Sequence, residues 1–168
     1  MKLLDLSLRP LVGAACVAFS IFAASSSTLH AQAGGMFGSL AGNWSGSGTI
    51  LVGDGGTERI RCRATYTVDA GGSAMQQNLR CASDSYKFEL SSDVRGSGGN
   101  LTGNWSEASR GVNGTLEGRG SNGSFEVLVS ANAFVATLYL KVSGNKQTIS
   151  ITSKNTDLRG VNISLTRS

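Results

Sequence analysis

Cys62 and Cys81 are the residues of this chain best placed for chemistry. Each sits in a run of alternating residue types, and Gly71-Gly72 lies midway between them. Glycine takes positive φ freely, so a two-residue turn there makes a β-hairpin with Cys62 directly opposite Cys81. Opposed residues of an antiparallel pair have Cα atoms about 4.5–5.5 Å apart, within reach of a disulfide. The same register sets Ala64 by Leu79, Tyr66 by Gln77 and Val68 by Met75 on one face. On the other it sets Arg63 by Arg80 and Arg59 by Asp84. The cysteines read as a structural staple or as a labile redox pair. Arg61, Arg63 and Arg80 could lower a thiol pKa, but their parity sends them to the opposite face.

Arg59, Arg61, Arg63 and Arg80 form an outward basic stripe on that hairpin. It is either a solvated face or a docking patch for an acidic partner, an anionic glycan or lipid headgroups. No carboxylates pair at an interpretable spacing. Glu107 continues the inward parity of Trp105 and is expected in water at a strand end. Inward-facing Trp44, Tyr66, Gln77, Tyr86 and Trp105 are the candidate lining of a ligand cavity, with Gln147 on the same face. The alternative is a solid core with the polar tips at its rims. Asn43, Asn100, Asn104, Asn113, Asn122 and Asn162 begin glycosylation sequons, which here read as turns and outer faces.

The first 33 residues remove further chemistry. Lys2 and Arg9, an apolar run from Leu11 to Ala24, and Ala31-Gln32-Ala33 make a secretory signal peptide with cleavage after Ala33. The run is too short for a membrane anchor. Lipidation at Cys16 would leave a greasy N-terminus and is set aside. Cleavage removes His30, the single histidine, so Ser-His-Asp catalysis and His-ligated zinc are excluded. The expectation is no catalytic residue, no metal and no cofactor in a periplasmic or secreted chain.

The elements that position these residues are strands. The chain has 23 glycines in 168 residues and a formal net charge of +4, too mild to argue for nucleic acid. No segment repeats apolar residues at helical spacing for long enough to be a helix. Residues 34–41 read as a flexible lead-in and 42–168 as the folded domain. Period-two alternation then continues to the end. Asn122-Gly123 sets Leu116 by Val129 and Gly118 by Val127. Ala131-Asn132 sets Val129 by Phe134 and Phe125 by Leu138. Gly144-Asn145 sets Leu140 by Ile149 and Leu138 by Ile151. Residues 95–100, 109–111 and 153–159 read as loops. The fold class is all-β: an antiparallel up-and-down meander of about 8–10 strands. Closure into a barrel, with the first strand against the last, hides its edges.

Gly42-Asn43-Trp44 on the first strand and Arg167 at the end of the last resemble the calycin pattern. Calycins are small ligand-binding barrels (lipocalins, fatty-acid-binding proteins, avidins). In them a G-x-W packs under an Arg or Lys of the final strand. The resemblance implies that Trp44 and Arg167 close the barrel base. The chain lacks the several tryptophans of avidins and the second conserved segment of lipocalins. Gly42-Asn43-Trp44-Ser45 recurs as Gly103-Asn104-Trp105-Ser106. This is either a duplicated half or one local solution used twice, a Trp needing a small neighbour on a curved strand.

Three functions fit. One is an exported barrel that binds a small apolar or amphipathic ligand without catalysis. A second is an envelope protein that binds another protein, such as a lysozyme or protease inhibitor. A third is an outer-membrane barrel, opposed by the absence of a terminal aromatic and of aromatic girdles. The first is the expectation, and an enzyme is least favoured.

Overall fold

The computed structural model describes residues 34–154 and 156–168. The signal peptide expected at residues 1–33 lies outside the described residues. Ten strands follow in chain order: β1 (Gly42–Val52), β2 (Thr57–Val68), β3 (Ala74–Ala82), β4 (Lys87–Ser97) and β5 (Asn100–Glu107), then β6 (Val112–Ser121), β7 (Ser124–Ala131), β8 (Val135–Ser143), β9 (Lys146–Lys154) and β10 (Leu158–Arg167). Each pairs antiparallel with the next, and β1 pairs with β10 to close the barrel. Along β2 burial alternates strictly, with Ile60, Cys62, Ala64 and Tyr66 inside and Arg59, Arg61 and Arg63 outside. Apolar side chains in and polar side chains out is the reverse of a lipid-embedded barrel. Among the described residues no helix is long and apolar enough to cross a membrane.

Turn chemistry sets the register. Asn122 and Gly123 both take positive φ, 49° and 76°, which makes the tight turn between β6 and β7. Leu116 faces Val129 and Gly118 faces Val127, as the sequence predicts. Gly98 and Gly99 do the same between β4 and β5, at φ 58° and 86°. The loop expected over 95–100 therefore shrinks to two residues, because Gly96 and Ser97 pair with Leu101 and Asn100. The loop expected over 153–159 also shrinks, since β9 runs to Lys154 and β10 starts at Leu158.

Two hairpins differ from expectation in an instructive way. Between β2 and β3 the loop is 69–73 rather than a two-residue turn. Asp69 Oδ1 accepts from the Ser73 and Ala74 amides, both at 2.7 Å. Those amides, Ala74 foremost, hold the Asp69 carboxyl below the usual aspartate value. The flanking pair Val68–Met75 is still centred between Gly71 and Gly72, so Cys62 faces Cys81, Ala64 Leu79 and Tyr66 Gln77 as expected. The ladder ends at Arg61–Ala82, so Arg59 stands opposite Thr49 of β1 and not Asp84. Between β7 and β8 the turn is displaced to 132–134. Val129 faces Ala136 rather than Phe134, and Phe125 faces Leu140 rather than Leu138. The error is two residues. An even slip keeps every side chain on its own face, and an odd slip would have turned them all over.

Residues 34–41, expected to be flexible, hold the largest correction. Phe37 and Leu40 are 0% and 1% exposed. A 3-10 turn, Gly38–Leu40, lies under the barrel, and the Phe37 amide donates to the Gly72 carbonyl at 3.0 Å. Phe37 stacks on Phe125 at 5.8 Å. Each buried apolar side chain of this size contributes about 1.5–3 kcal/mol, so the segment belongs to the core. The folded domain thus starts before Gly42.

Candidate functional site

The base of the barrel is filled. Trp44, 1% exposed, donates from Nε1 to the Leu40 carbonyl at 2.7 Å. Arg167 covers its ring, with the guanidinium carbon 4.2 Å from the centroid. The same guanidinium donates to the Ala41 carbonyl and, at 2.7 Å, to that of Ser39. The cation is thus held by two carbonyls and a ring face, and it ties the 3-10 segment to the last strand.

Beside this plug lies a polar network spanning four strands. Gln147 Nε2 of β9 donates to the Tyr66 hydroxyl of β2 at 3.0 Å. Gln77 Nε2 of β3 reaches the same hydroxyl at 3.5 Å, and Ser92 Oγ of β4 donates to Gln77 Oε1 at 3.0 Å. Tyr66 and Gln147 are 2% and 1% exposed. Burial, partly offset by the bonds from Gln147 and Gln77, raises the Tyr66 pKa above the ordinary phenol value. Buried polar groups in such a network must all be satisfied, and these satisfy one another.

The wall above is different. On β6 exposed outward positions alternate with half-buried inward ones from Val112 to Gly118, and Gly120 is buried. Leu90 on β4, Leu116 on β6, Val129 on β7, Leu138 on β8 and Ile151 on β9 all face inward and all keep partial exposure. In a closed barrel solvent reaches an inward side chain only from the lumen or its mouth. These residues form a partly exposed apolar band on the inner wall above a plugged base. Tyr86 and Phe88, also half-buried, stack in parallel at 6.2 Å beside it.

Glu107 closes the adjoining rim. It is buried, not in water as the sequence suggested. Its carboxylate accepts from the amides of Glu89 at 2.9 Å, Ser109 at 3.0 Å and Arg110 at 2.9 Å. Burial alone would raise its pKa, but these donors outweigh it and hold the carboxyl below the usual glutamate value. Arg110 stands 3.6 Å from the carboxylate, lies over the Phe88 ring at 4.7 Å and donates to the Lys87 carbonyl. The carboxylate satisfies two amides of the loop after β5 and one of the neighbouring β4, which would otherwise lack this acceptor.

The five expected lining residues therefore separate. Trp44 belongs to the base, because β1 starts there and Trp44 is its third residue. Tyr66 and Gln77 belong to the polar network beside the plug. Tyr86 is half-buried and stacks on Phe88. Trp105 faces inward at 7% exposure, its indole donating to the Thr115 and Ser130 carbonyls at 3.2 and 3.3 Å. Trp44 and Trp105 share a four-residue motif, but β5 lies four strands after β1 in a ten-strand barrel. A duplicated half would place it five strands on, so the motif is one local solution used twice. The aliphatic wall from Leu90 to Ile151 was not singled out from the sequence. Parity marks those residues as inward, but their height in the barrel depends on strand stagger.

Cys62 and Cys81 form a disulfide with Cα atoms 4.1 Å apart, and both are buried in the inner wall. Arg59, Arg61, Arg63 and Arg80 are exposed on the outer face. Arg63 faces Arg80 directly, and Arg80 faces Glu89, which pairs with Lys87 at 2.8 Å.

No protein-family model matches this chain, and no curated protein matches it. Solved structures do resemble it. Rv2717c from M. tuberculosis superposes with a TM-score of 0.63 at 12% identity, covering 77% of this chain and 93% of that one. The S-type phycobiliprotein lyase CPES from Guillardia theta gives 0.57 at 8% identity, covering 79% and 90%. At such identities the likeness is one of fold: both are calycin-like barrels, and so is this chain.

Proposed function

We propose that this chain is an exported binding barrel that holds a small apolar or amphipathic ligand in a cup formed by the apolar band above its plugged base. The carrying observation is the contrast between the two halves of the lumen. Trp44, Phe37 and Leu40 are sealed below, while Leu116, Val129, Leu138 and Ile151 remain partly exposed inside a closed wall. An aliphatic surface of this kind gains from any apolar molecule that displaces water from it. Gln77 and Ser92 supply hydrogen-bonding groups at the floor, so one polar group on the ligand has a partner. The fold relative described as a phycobiliprotein lyase supports a barrel built around a ligand. The signal peptide pattern and the disulfide support export to an oxidising compartment.

The test is titration with N-phenylnaphthylamine, an uncharged dye that fluoresces in apolar surroundings. Wild-type protein is expected to bind it saturably, and Leu138→Trp, which fills the cup, to weaken binding at least tenfold while melting cooperatively. No saturable binding, or equal binding by the filled variant, overturns the reading.

A further inference from the structure

The outer surface of this barrel carries a feature unrelated to the lumen. A closed barrel is convex outside, yet an open groove of about 1190 Å³ lies across the outer face of β6–β10, β1 and β2. Two inward-facing glycines lie along it. A Cβ at Gly120 would strike the Phe125 ring, and one at Gly48 would strike the Asn162 carbonyl and crowd Ile163. Without side chains there, neighbours pack closely against the backbone. Gly48 and Gly120 both line the groove.

One cross-strand row forms its axis. It runs from Arg119 through Glu126, Tyr139, Ser150, Asn162 and Thr49 to Arg59, each directly opposite the next. Six inter-strand steps of about 4.8 Å make it roughly 29 Å long. Ser150, Asn162 and Thr49 give it hydroxyl and amide groups, and Glu126 a single carboxylate. Tyr139, 51% exposed, lies between them, and its hydroxyl donates to Glu126 at 3.1 Å, so that carboxylate is occupied. Arginines stand at both ends, and Lys141 lies on the flank.

We propose that this groove is a second binding site, for an acidic polysaccharide chain. Hydroxyl and amide side chains exchange hydrogen bonds with sugar hydroxyls. An exposed tyrosine offers a rigid amphipathic ring to a sugar face. Arg59 and Arg119 present fork-shaped donors that match sugar carboxylates at two separated points. A bilayer is a poor occupant, because no outward aliphatic side chain of the row would enter it. A linear anionic polymer fits the length and the charge at both ends.

The experiment uses residues 34–168 and fluorescence polarisation with labelled oligogalacturonate, an uncharged oligoglucan and polyglutamate. Oligogalacturonate is expected to bind more tightly than either other probe. Tyr139→Ala is expected to weaken it at least tenfold, Tyr139→Phe to leave it within twofold, and Arg119→Ala to weaken it severalfold. Ser150→Glu, which puts a negative charge beside Tyr139, is expected to weaken it as strongly, so the outcome does not depend on one variant folding. Dye binding in the lumen is expected to be unaffected throughout. No binding of oligogalacturonate, equal binding of polyglutamate, or insensitivity to both Tyr139→Ala and Ser150→Glu overturns the proposal.

Discussion

Arg167 and Trp44 stand directly opposite each other in the β1–β10 ladder, with the guanidinium 4.2 Å above the indole ring. The contact joins the first and last strands, since Trp44 is the third residue of β1 and Arg167 the last of β10. It also fixes the preceding segment, because the same guanidinium holds the Ser39 and Ala41 carbonyls. A single side chain thus closes the sheet, covers the core tryptophan and anchors the plug.

Arg167→Ala should therefore destabilise the fold by about 2 kcal/mol, combining the lost cation–π contact with two carbonyls left without a donor. Arg167→Lys should recover only part of this, because an ammonium cannot reproduce the planar fork. Urea denaturation measures both. A variant as stable as wild type would remove Arg167 from the closure.

The disulfide closes a loop of 19 residues in the unfolded chain. Cys62→Ala with Cys81→Ala should lower stability by about 2–4 kcal/mol. An unchanged melting temperature contradicts a structural role for the bond.

Glu107 should impose an acid limit. Its folded pKa lies below the ordinary value, so its contribution is present above the unfolded glutamate pKa of about 4.3 and is lost as pH falls through the folded value. Glu107→Ala should cost about 2 kcal/mol at neutral pH, since three amides lose their acceptor. The gap from wild type should narrow in acid. A gap that is constant from pH 7 to pH 3 contradicts the assignment.

Tyr66 should impose the opposite limit. Its raised pKa means that its contribution is complete below the ordinary phenol value of about 10 and declines as pH rises beyond it. Tyr66→Phe should cost about 1–2 kcal/mol at neutral pH by leaving Gln147 and Gln77 short of a partner. It should also flatten the alkaline limb of the stability profile. A limb unchanged in Tyr66→Phe assigns it elsewhere.

The fold was legible because period-two patterning needs only parity, and parity survives modest errors. Cys62 faces Cys81 although the connection is an Asp69-capped loop rather than a tight Gly71-Gly72 turn, because the flanking pair Val68–Met75 keeps the same centre. The β7–β8 register was misplaced by two residues without moving a side chain across the wall. Depth was harder to read. Parity could not tell that Trp44 sits at the base while Leu138 stays partly exposed, because stagger between strands sets height along the barrel. Glu107 was misplaced because its partners are backbone amides of Glu89, Ser109 and Arg110, which no residue type announces. Phe37 and Leu40 were missed because a short apolar pair between small residues carries no periodicity.

The most direct test of a ligand-binding barrel is native mass spectrometry of residues 34–168, secreted and purified without detergent. Extra mass that disappears on denaturation is the predicted result, and its value identifies the carried molecule. A bare chain mass that persists after incubation with apolar compounds contradicts an open cup and makes the lumen a filled core.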